Sequence, residues 1–244
     1  MKENKYDDIV FFEKYSQMDR SKKGLDGAGE WNTLERMLPD FQGKRVLDLG
    51  CGYGWHCIYA AEHGAAQVVG IDISERMLEV AKEKSEELPV TYICSAIEDL
   101  EFPEGSFDIV LSSLAFHYLP NFGLIAGMVN RVLAPEGRFI FSAEHPVFTS
   151  QGPQDWYYGP DGEILHFPVD RYFYEGKRNA CFLRESVIKY HRTLTTYLNG
   201  LLSNGFEIVG FEEPQPTKEM INTVQGMKDE LRRPMMMILS ARKK

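Results

Sequence analysis

A glycine-rich segment at residues 46–56, VLDLGCGYGWH, constrains the fold of this chain more than any other part of it. An apolar run leads into three glycines at alternate positions, Gly50, Gly52 and Gly54, and an amphipathic segment follows at residues 57–63. This pattern predicts a buried strand, a tight turn and the start of a helix. Glycine allows positive φ and leaves no Cβ between the backbone and a ligand. The segment therefore predicts an open α/β sheet that binds a nucleotide-like molecule at this turn.

The glycine spacing narrows the choice of ligand. A dinucleotide fingerprint reads G-x-G-x-x-G and seats a pyrophosphate at the helix N-terminus, but here Trp55 stands where the third glycine would be. Asp48, just upstream, would repel a pyrophosphate and attract a cation. A second predicted strand, residues 67–71, leads into Asp72, which is placed to accept hydrogen bonds from ribose hydroxyls. The ligand that matches best is a nucleoside with a positively charged appendage, which describes S-adenosylmethionine.

At these residues, and at residues 107–118 (FDIVLSSLAFHY), the sequence resembles the class I S-adenosylmethionine-dependent methyltransferases. It is most similar to the bacterial small-molecule branch related to the quinone-biosynthesis C-methyltransferases. The resemblance covers about residues 44–142 and returns more weakly near the C-terminus. It implies a doubly wound α/β fold with a mostly parallel seven-stranded sheet and a final antiparallel strand, the Rossmann-like methyltransferase fold. It also implies S-adenosyl-L-methionine as the cofactor and S-adenosyl-L-homocysteine as the product.

The resemblance also implies a set of cofactor contacts. The turn after the third strand faces adenine in the family; its usual acidic residue is replaced here by Ala96, which leaves Ile97 and backbone groups as the contacts. Ile73 and Met77 either flank the ring or pack in the core. The predicted cofactor-binding residues are Tyr15, Arg20, Asp48, Gly50, Cys51, Gly52, Asp72, Ile73, Met77, Ala96, Ile97 and Leu114.

Three histidines are candidates for contact with the methyl acceptor. Methyl transfer from a sulfonium depends mostly on the alignment of donor and acceptor, and a base is needed only if the acceptor must lose a proton. His145 is the first candidate, followed by His117 at a predicted strand end and His191 in the region of the predicted cap. Packing or backbone anchoring is the alternative role for each. Because these histidines are scattered and have no matching cysteine or carboxylate spacing, no metal site is predicted.

The domain organisation follows from the same patterns. Residues 1–244 are predicted to form one methyltransferase domain, with the cofactor-binding core at 39–142 and the C-terminal part of the sheet at 192–244. The aromatic-rich insertion at 143–191 is predicted to fold over the ligand edge as a substrate cap, because so many exposed aromatic side chains would be a liability. A dimer contact is the alternative. Residues 1–38 are predicted to form N-terminal lid helices, or else helices that merely pack on the sheet edge.

Charge and hydropathy limit the partners. The net charge of −9 and the pI near 5.2 argue against a nucleic-acid substrate, which requires a basic surface. No apolar run approaches the roughly 20 residues that a membrane-spanning helix needs, and the N-terminus lacks an apolar signal region, so a cytoplasmic location is expected. The expected partner is a small-molecule methyl acceptor, and the protein is expected to be a monomer or a homodimer.

The predicted function is transfer of a methyl group from S-adenosylmethionine to a small, apolar or aromatic acceptor. One alternative is a nicotinamide-dependent oxidoreductase, which Asp48 and the missing third glycine at Trp55 oppose. The other is a non-catalytic module that binds S-adenosylmethionine, which the aromatic insertion opposes.

Overall fold

The computed structural model describes residues 4–244; residues 1–3, which open the predicted N-terminal lid, lie outside the described residues. Its strands are β1 (Arg45–Leu49), β2 (Gln67–Asp72), β3 (Val90–Cys94), β4 (Phe107–Ser113), β5 (Leu133–Glu144), β6 (Tyr157–Tyr158), β7 (Ile164–His166), β8 (Gly176–Phe182), β9 (Glu185–His191), β10 (Phe206–Glu212) and β11 (Met236–Lys243). Its α-helices are α1 (Ile9–Ser16), α2 (Asp19–Lys22), α3 (Trp31–Met37), α4 (Trp55–Glu62), α5 (Glu75–Lys84), α6 (Phe122–Val132), α7 (Pro146–Thr149), α8 (Leu194–Leu202) and α9 (Lys218–Thr223).

Seven strands form the central sheet in the order β10-β11-β5-β4-β1-β2-β3. Strands β1 to β5 pair in parallel, and β11 runs antiparallel between β10 and β5. The order reverses between β4 and β1, which is the point where open α/β sheets form their ligand crevice. The predicted doubly wound sheet with a final antiparallel strand is confirmed.

The sheet is buried on both faces, as expected when parallel strands are joined by helices. Successive residues of β1 point to opposite layers: Val46 packs in the cluster that contains Trp31 of α3, and Leu47 packs in the cluster that contains Phe122 of α6. Helix α5 begins with a side-chain cap, since Ser74 Oγ accepts a hydrogen bond from Met77 N at 3.2 Å. These layers hold the strand ends in fixed positions at one edge of the sheet.

The insertion after β5 folds as two hairpins, β6–β7 and β8–β9, each antiparallel. Helix α1 packs against the second hairpin: Phe11 is fully buried with Ala180 and Val187, and Lys14 Nζ lies 2.6 Å from Glu185 Oε1. The N-terminal helices and the insertion therefore meet each other at the ligand edge of the sheet.

One predicted helix is wrong in extent. The sequence pattern indicates a helix over residues 218–231, but α9 ends at Thr223 and only a short 3₁₀ turn, Asp229–Arg232, follows. Val224, directly after α9, is already extended at φ −109° and ψ 119°, and Gly226 two residues later adopts φ +82°, so the helical conformation does not continue. In the part of the chain that the structure describes, no helix has both the length and the apolar character needed to cross a membrane.

Candidate functional site

A cavity of about 1180 Å³ opens at the carboxyl ends of the parallel strands. The residues that end or follow these strands line it: Gly50 after β1, Asp72 at the end of β2, Ser95 after β3, Ser113 at the end of β4 and Glu144 at the end of β5. Ligand pockets usually occupy roughly 300–1,000 Å³. This cavity therefore has room for a nucleoside-sized ligand and a second small molecule beside it.

The glycine turn leaves open space at its centre. Gly50 and Cys51 both donate their N–H groups to Ile71 O, at 2.8 and 2.9 Å, which ties the turn to β2. A Cβ on Gly50 would lie 2.5 Å from Ala115 Cβ, so this position admits no side chain. A Cβ on Gly52, at φ +54°, would meet no atom of the described residues within 4 Å. The turn is therefore held rigid while its central residue leaves room for a ligand.

Asp72 has hydrogen-bonding capacity left for a ligand. Its Oδ2 accepts from Gly52 N at 2.8 Å and its Oδ1 accepts from Ser74 N at 2.9 Å. These bonds use two of the about four acceptor positions of a carboxylate, and the side chain lines the cavity. Burial raises the pKa of Asp72, against the lowering effect of the bonds from Ser74 and Gly52. A carboxylate held in this way fits a pair of ribose hydroxyls.

A buried ion pair lies at the other end of the turn. Arg20 pairs with Glu30, and Ser113 Oγ donates to the same oxygen, Glu30 Oε1, at 3.2 Å. Glu30 is 1% exposed. Burial raises its pKa, but the charge of Arg20, a backbone hydrogen bond and the hydrogen bond from Arg20 together outweigh burial and lower it, so the carboxylate is ionised.

The second Glu30 oxygen, Oε2, is buried and has no hydrogen-bond partner among the described residues. An unpaired buried carboxylate oxygen is costly and suits a cationic ligand group. A recess of about 70 Å³ beside it is lined by Tyr15, Arg20 and the glycine turn. Together with the open space at Gly52, this pair fits the amino-acid end of S-adenosylmethionine, with its ammonium and carboxylate groups.

The predicted adenine contacts lie together. Ile73, Met77, Ala96 and Ile97 all line the cavity on the side of β2 and β3. Met77 and Ile97 are almost completely buried and make this part of the wall apolar, as a flat heterocycle requires.

Leu114 lines the cavity directly after β4. It adopts φ +54°, which is uncommon for any residue other than glycine. Its N–H donates to Ser142 O at 3.0 Å, a bond that holds the backbone in this conformation. Strained backbone of this kind collects at ligand sites.

Two predicted cofactor residues are not in the main cavity. Asp48 is 1% exposed beneath the turn; its Oδ2 accepts from Cys57 Sγ at 3.4 Å, and its Oδ1 has no partner in the described chain. Burial raises the pKa of Asp48 to about 7. Cys51 borders only the small recess. Asp48 therefore lies beneath the turn and does not line the space that is open to a ligand.

His117 is the one of the three candidate histidines that lines the cavity. It is 3% exposed, and its Nδ1 has no hydrogen-bond partner within residues 4–244. Burial lowers the pKa of His117 to about 4, so the ring is neutral at neutral pH and can accept a proton.

His145 and His191 are placed differently from the sequence expectation, because both lie outside the cavity lining of the described chain. His145 Nδ1 accepts from Val147 N at 3.0 Å, and its Nε2 lies 3.0 Å from Glu213 Oε1. His191 Nδ1 is 2.8 Å from Thr149 Oγ1, and its Nε2 is 2.8 Å from Tyr172 O. These contacts hold the insertion in place and leave both rings turned toward the protein.

Polar groups also line the side of the cavity next to the insertion. Glu144 accepts from Lys189 at Oε1 and from Gln154 Nε2 at 2.7 Å at Oε2. Burial raises the pKa of Glu144, but the Lys189 ammonium and the Gln154 amide act against it and the net shift is downward. The hydroxyls of Tyr6 and Tyr118 lie 3.2 Å apart nearby in the wall.

Known proteins share these features. The family profile described as a methyltransferase domain matches residues 47–141. The structure of an S-adenosylmethionine-dependent methyltransferase from Mesorhizobium loti is 42% identical in sequence and has a TM-score of 0.84, over 90% of this chain and 100% of that chain. A structure from Listeria monocytogenes assigned to the same class is 55% identical, with a TM-score of 0.86 over 91% of this chain and 99% of that one. The chain belongs to the class I S-adenosylmethionine-dependent methyltransferases. Its cofactor is S-adenosylmethionine.

A more distant relative of this methyltransferase has a name that states its biochemical role. The ubiquinone biosynthesis O-methyltransferase of Neisseria meningitidis serogroup C is 34% identical over 53% of this chain, and the chain spans 59% of that relative's length.

Sequence reasoning missed several lining residues of the methyltransferase. Glu30, Glu144 and Lys189 come from three distant parts of the chain. Glu144 directly precedes His145 in the motif at the end of β5, so its position after a strand was the one available signal. Lys189 gave no local signal, because its place depends on how the second hairpin folds back.

Proposed function

We propose that this methyltransferase acts on a small, apolar or aromatic molecule that binds between the insertion, residues 143–191, and the ends of β4 and β5. The observation that carries the proposal is the large cavity that extends from Asp72 to the second hairpin. Its wall on the acceptor side includes aromatic and methionine side chains: Tyr6, Tyr118, Trp156, Phe182, Met235 and Met236. Such a wall suits a flat or apolar acceptor and keeps water away from the reaction.

The proposed placement of S-adenosylmethionine depends on the polar groups at the two ends of the glycine turn. In the proposed placement, Asp72 accepts hydrogen bonds from the ribose hydroxyls, and Ile73, Met77, Ala96 and Ile97 surround adenine. Glu30 and Arg20 hold the ammonium and carboxylate of the methionine part, with Tyr15 beside them. When bound, S-adenosylmethionine supplies an electrophilic methyl group on a sulfonium. Aromatic rings near this charge favour it through cation–π attraction.

The protein's contribution to catalysis is alignment of the acceptor with the methyl group, a proximity effect. Leu114 and His117, both at the end of β4, border the space between the two proposed subsites. His117 is the proposed catalytic residue, because it faces the cavity as a neutral ring. The role of the Neisseria relative in ubiquinone biosynthesis supports a small-molecule acceptor.

The proposal is tested by binding and by transfer. Equilibrium titration is expected to show binding of S-adenosylhomocysteine and no binding of NAD. Incubation with methyl-labelled S-adenosylmethionine and a library of small acceptors is expected to give a labelled product. Tight binding of NAD without S-adenosylhomocysteine would contradict the cofactor placement. Cofactor binding with no product across broad acceptor classes would instead favour a non-catalytic role.

A further inference from the structure

A buried polar cluster interrupts the aromatic wall on the acceptor side. It consists of Glu144, Lys189, Gln154 and His117. Lys189 is 3% exposed; its Nζ donates to Glu144 Oε1 and, at 2.9 Å, to Gln154 Oε1. The residue that supplies this amide, Gln154, is held at φ +55°, an uncommon conformation outside glycine. All but Gln154 line the cavity directly.

Stability does not account for this cluster. A buried ion pair can often be replaced by apolar side chains with no loss of stability, because removing two charges from water offsets their attraction. The pair joins the end of β5 to β9, and both side chains line the cavity. Its position in the wall therefore indicates a role in recognising a polar group of the acceptor.

The hydrogen-bonding positions that the cluster leaves free indicate which polar group of the acceptor it can bind. An ammonium has three donors, and Lys189 uses two of them on Glu144 and Gln154, which leaves one. His117 lines the cavity, and since its Nδ1 is buried, the ring nitrogen that can accept a hydrogen bond from a ligand is Nε2, in the tautomer that carries its hydrogen on Nδ1. The cluster thus offers one donor and one acceptor. A hydroxyl group uses both, whereas an ammonium can only donate and a carboxylate can only accept.

The residues around the cluster indicate which kind of molecule carries the hydroxyl group. The rings of Tyr6, Tyr118 and Phe182 line the same side of the cavity, and Lys189 Nζ lies 5.3 Å from the Phe182 ring centroid. Stacked and edge-on ring contacts favour a flat aromatic ligand. A phenol also ionises near pH 10, far more readily than an aliphatic alcohol.

We infer that the acceptor is an aromatic hydroxyl compound and that the methyl group is transferred to its phenolic oxygen, with His117 and Lys189 as the groups that bind that oxygen and Glu144 as the residue that holds Lys189. This inference rests on the proposed function and names the acceptor class of the same site.

The transfer balances in one step. The phenolic O–H gives its proton to His117, and an oxygen lone pair forms the bond to the methyl carbon. The bond between that carbon and the sulfonium sulfur breaks, and its electron pair stays on sulfur. The Lys189 ammonium stabilises the negative charge that develops on oxygen. Glu144 and Gln154 are positioning residues, because they hold Lys189 rather than touch the oxygen.

A matched ligand pair tests the inference in the complex with S-adenosylhomocysteine. The probes are 2-naphthol and 2-methylnaphthalene, in which a methyl group of similar size replaces the hydroxyl that the cluster would bind. We expect 2-naphthol to bind about tenfold or more tightly, as two hydrogen bonds imply. The absorbance of bound 2-naphthol is expected to show ionisation at least about one pH unit below that of the free compound, because of the nearby ammonium. Equal binding of the two probes would overturn the inference.

Variants of the cluster distinguish a loss of ligand recognition from a loss of folding stability. Lys189→Met leaves Glu144 as an unpaired buried charge and so destabilises the fold, whereas the double variant Glu144→Gln/Lys189→Met removes both charges together. Both are expected to reduce the preference for 2-naphthol, because only the hydrogen bond to His117 remains, and to lose the shifted ionisation, with S-adenosylhomocysteine affinity unchanged. Arg184→Met is the control, because Arg184 is exposed at the tip of the same hairpin. A full naphthol preference together with an unchanged ionisation shift in the double variant would contradict the inference.

Transfer of labelled methyl groups completes the test. In a panel of phenols, anilines and carbon acid acceptors, the label is expected on phenolic oxygen, and His117→Gln is expected to lower turnover without weakening cofactor binding. Label found only on nitrogen or carbon would overturn the inference and leave the proposed methyltransferase function intact. Failure to bind S-adenosylhomocysteine in the same titrations would instead remove the proposed function.

Discussion

At the scale of single residues, Asp72 is the position where backbone and ligand requirements meet. Two backbone N–H groups fix its carboxylate, and its remaining lone pairs face the cavity. The same carboxylate therefore orders the glycine turn and, in the proposed placement, binds the ribose. A change at Asp72 should affect cofactor affinity more than overall stability, because the side chain is only half-buried.

Asp72→Asn is expected to weaken S-adenosylhomocysteine binding by roughly 10–100-fold, because an amide nitrogen cannot accept from a backbone N–H or from a hydroxyl. Isothermal titration calorimetry measures this change. Asp161→Asn, at an exposed turn between β6 and β7, is the matched control and should bind as the wild type does. An Asp72→Asn affinity within about twofold of the wild type would reject the ribose assignment.

Asp48 gives a prediction about stability and pH. Burial raises its pKa to about 7 from the ordinary value of 3.8, so the folded state keeps its proton over a pH range in which the unfolded chain has lost it. The resulting stabilisation is complete below about pH 4 and is lost as the pH rises to about 7. Asn at this position carries no charge and removes the dependence.

Relative to the wild type, Asp48→Asn is therefore expected to gain about 3 kcal/mol of unfolding free energy between pH 5 and pH 8. Urea unfolding at the two pH values measures the difference. The exposed residue Asp26 provides the control variant, Asp26→Asn, which should show no such gain. A difference between Asp48→Asn and wild type that does not change with pH would show that this carboxyl is not buried as described.

At the scale of secondary-structure elements, the contact between α1 and the β8–β9 hairpin closes the cavity from two sides. Phe11 is fully buried against Ala180 and Val187, and the ion pair between Lys14 and Glu185 lies at the edge of this contact. The two elements are far apart in sequence, so their packing joins the predicted lid to the predicted cap.

Phe11→Ala is expected to lower the unfolding free energy by about 3 kcal/mol, as other buried Phe→Ala changes do. Amide hydrogen exchange should become faster in α1, β8 and β9, with little change in β1 and β4, because the cavity left by the ring lies in the contact alone. The control is Val10→Ala on the same helix, where the side chain is 50% exposed. Faster exchange throughout the sheet would contradict a local contact between lid and cap.

The elements also show what sequence patterns can and cannot predict. The strands around the glycine turn and the helix caps at Ser74 and Thr193 were predictable, because each depends on a few neighbouring residues. The hairpins of the insertion depend on pairing between segments whose alternation is weak. The aromatic residues of the insertion led to the prediction of a cap, but they did not indicate which residues form strands.

Side-chain direction was the least predictable feature of the site. His145 and His117 both follow central strands, yet a backbone hydrogen bond turns His145 toward the protein and His117 lines the cavity. The pairing of Glu144 with Lys189 joins residues 45 positions apart. Such contacts are set by the complete fold, so no local pattern reports them.

At the scale of the whole molecule, three parts of the chain bound one cavity: the N-terminal helices, the carboxyl edge of the sheet and the insertion. A ligand that touches all three binds the folded state and not the unfolded chain. Its binding free energy then adds to the stability of the entire domain.

S-adenosylhomocysteine at about 100 times its dissociation constant is expected to add about 2.7 kcal/mol to the unfolding free energy, which raises Tm by roughly 5–10 °C for a domain of this size. Differential scanning calorimetry measures the shift, with NAD at the same concentration as the control. Asp72→Asn should show about half of the shift or less at that concentration, because its weaker affinity lowers the ratio of ligand concentration to dissociation constant. An equal shift with NAD, or a full shift in Asp72→Asn, would mean that the stabilising ligand binds elsewhere than between the glycine turn and Asp72.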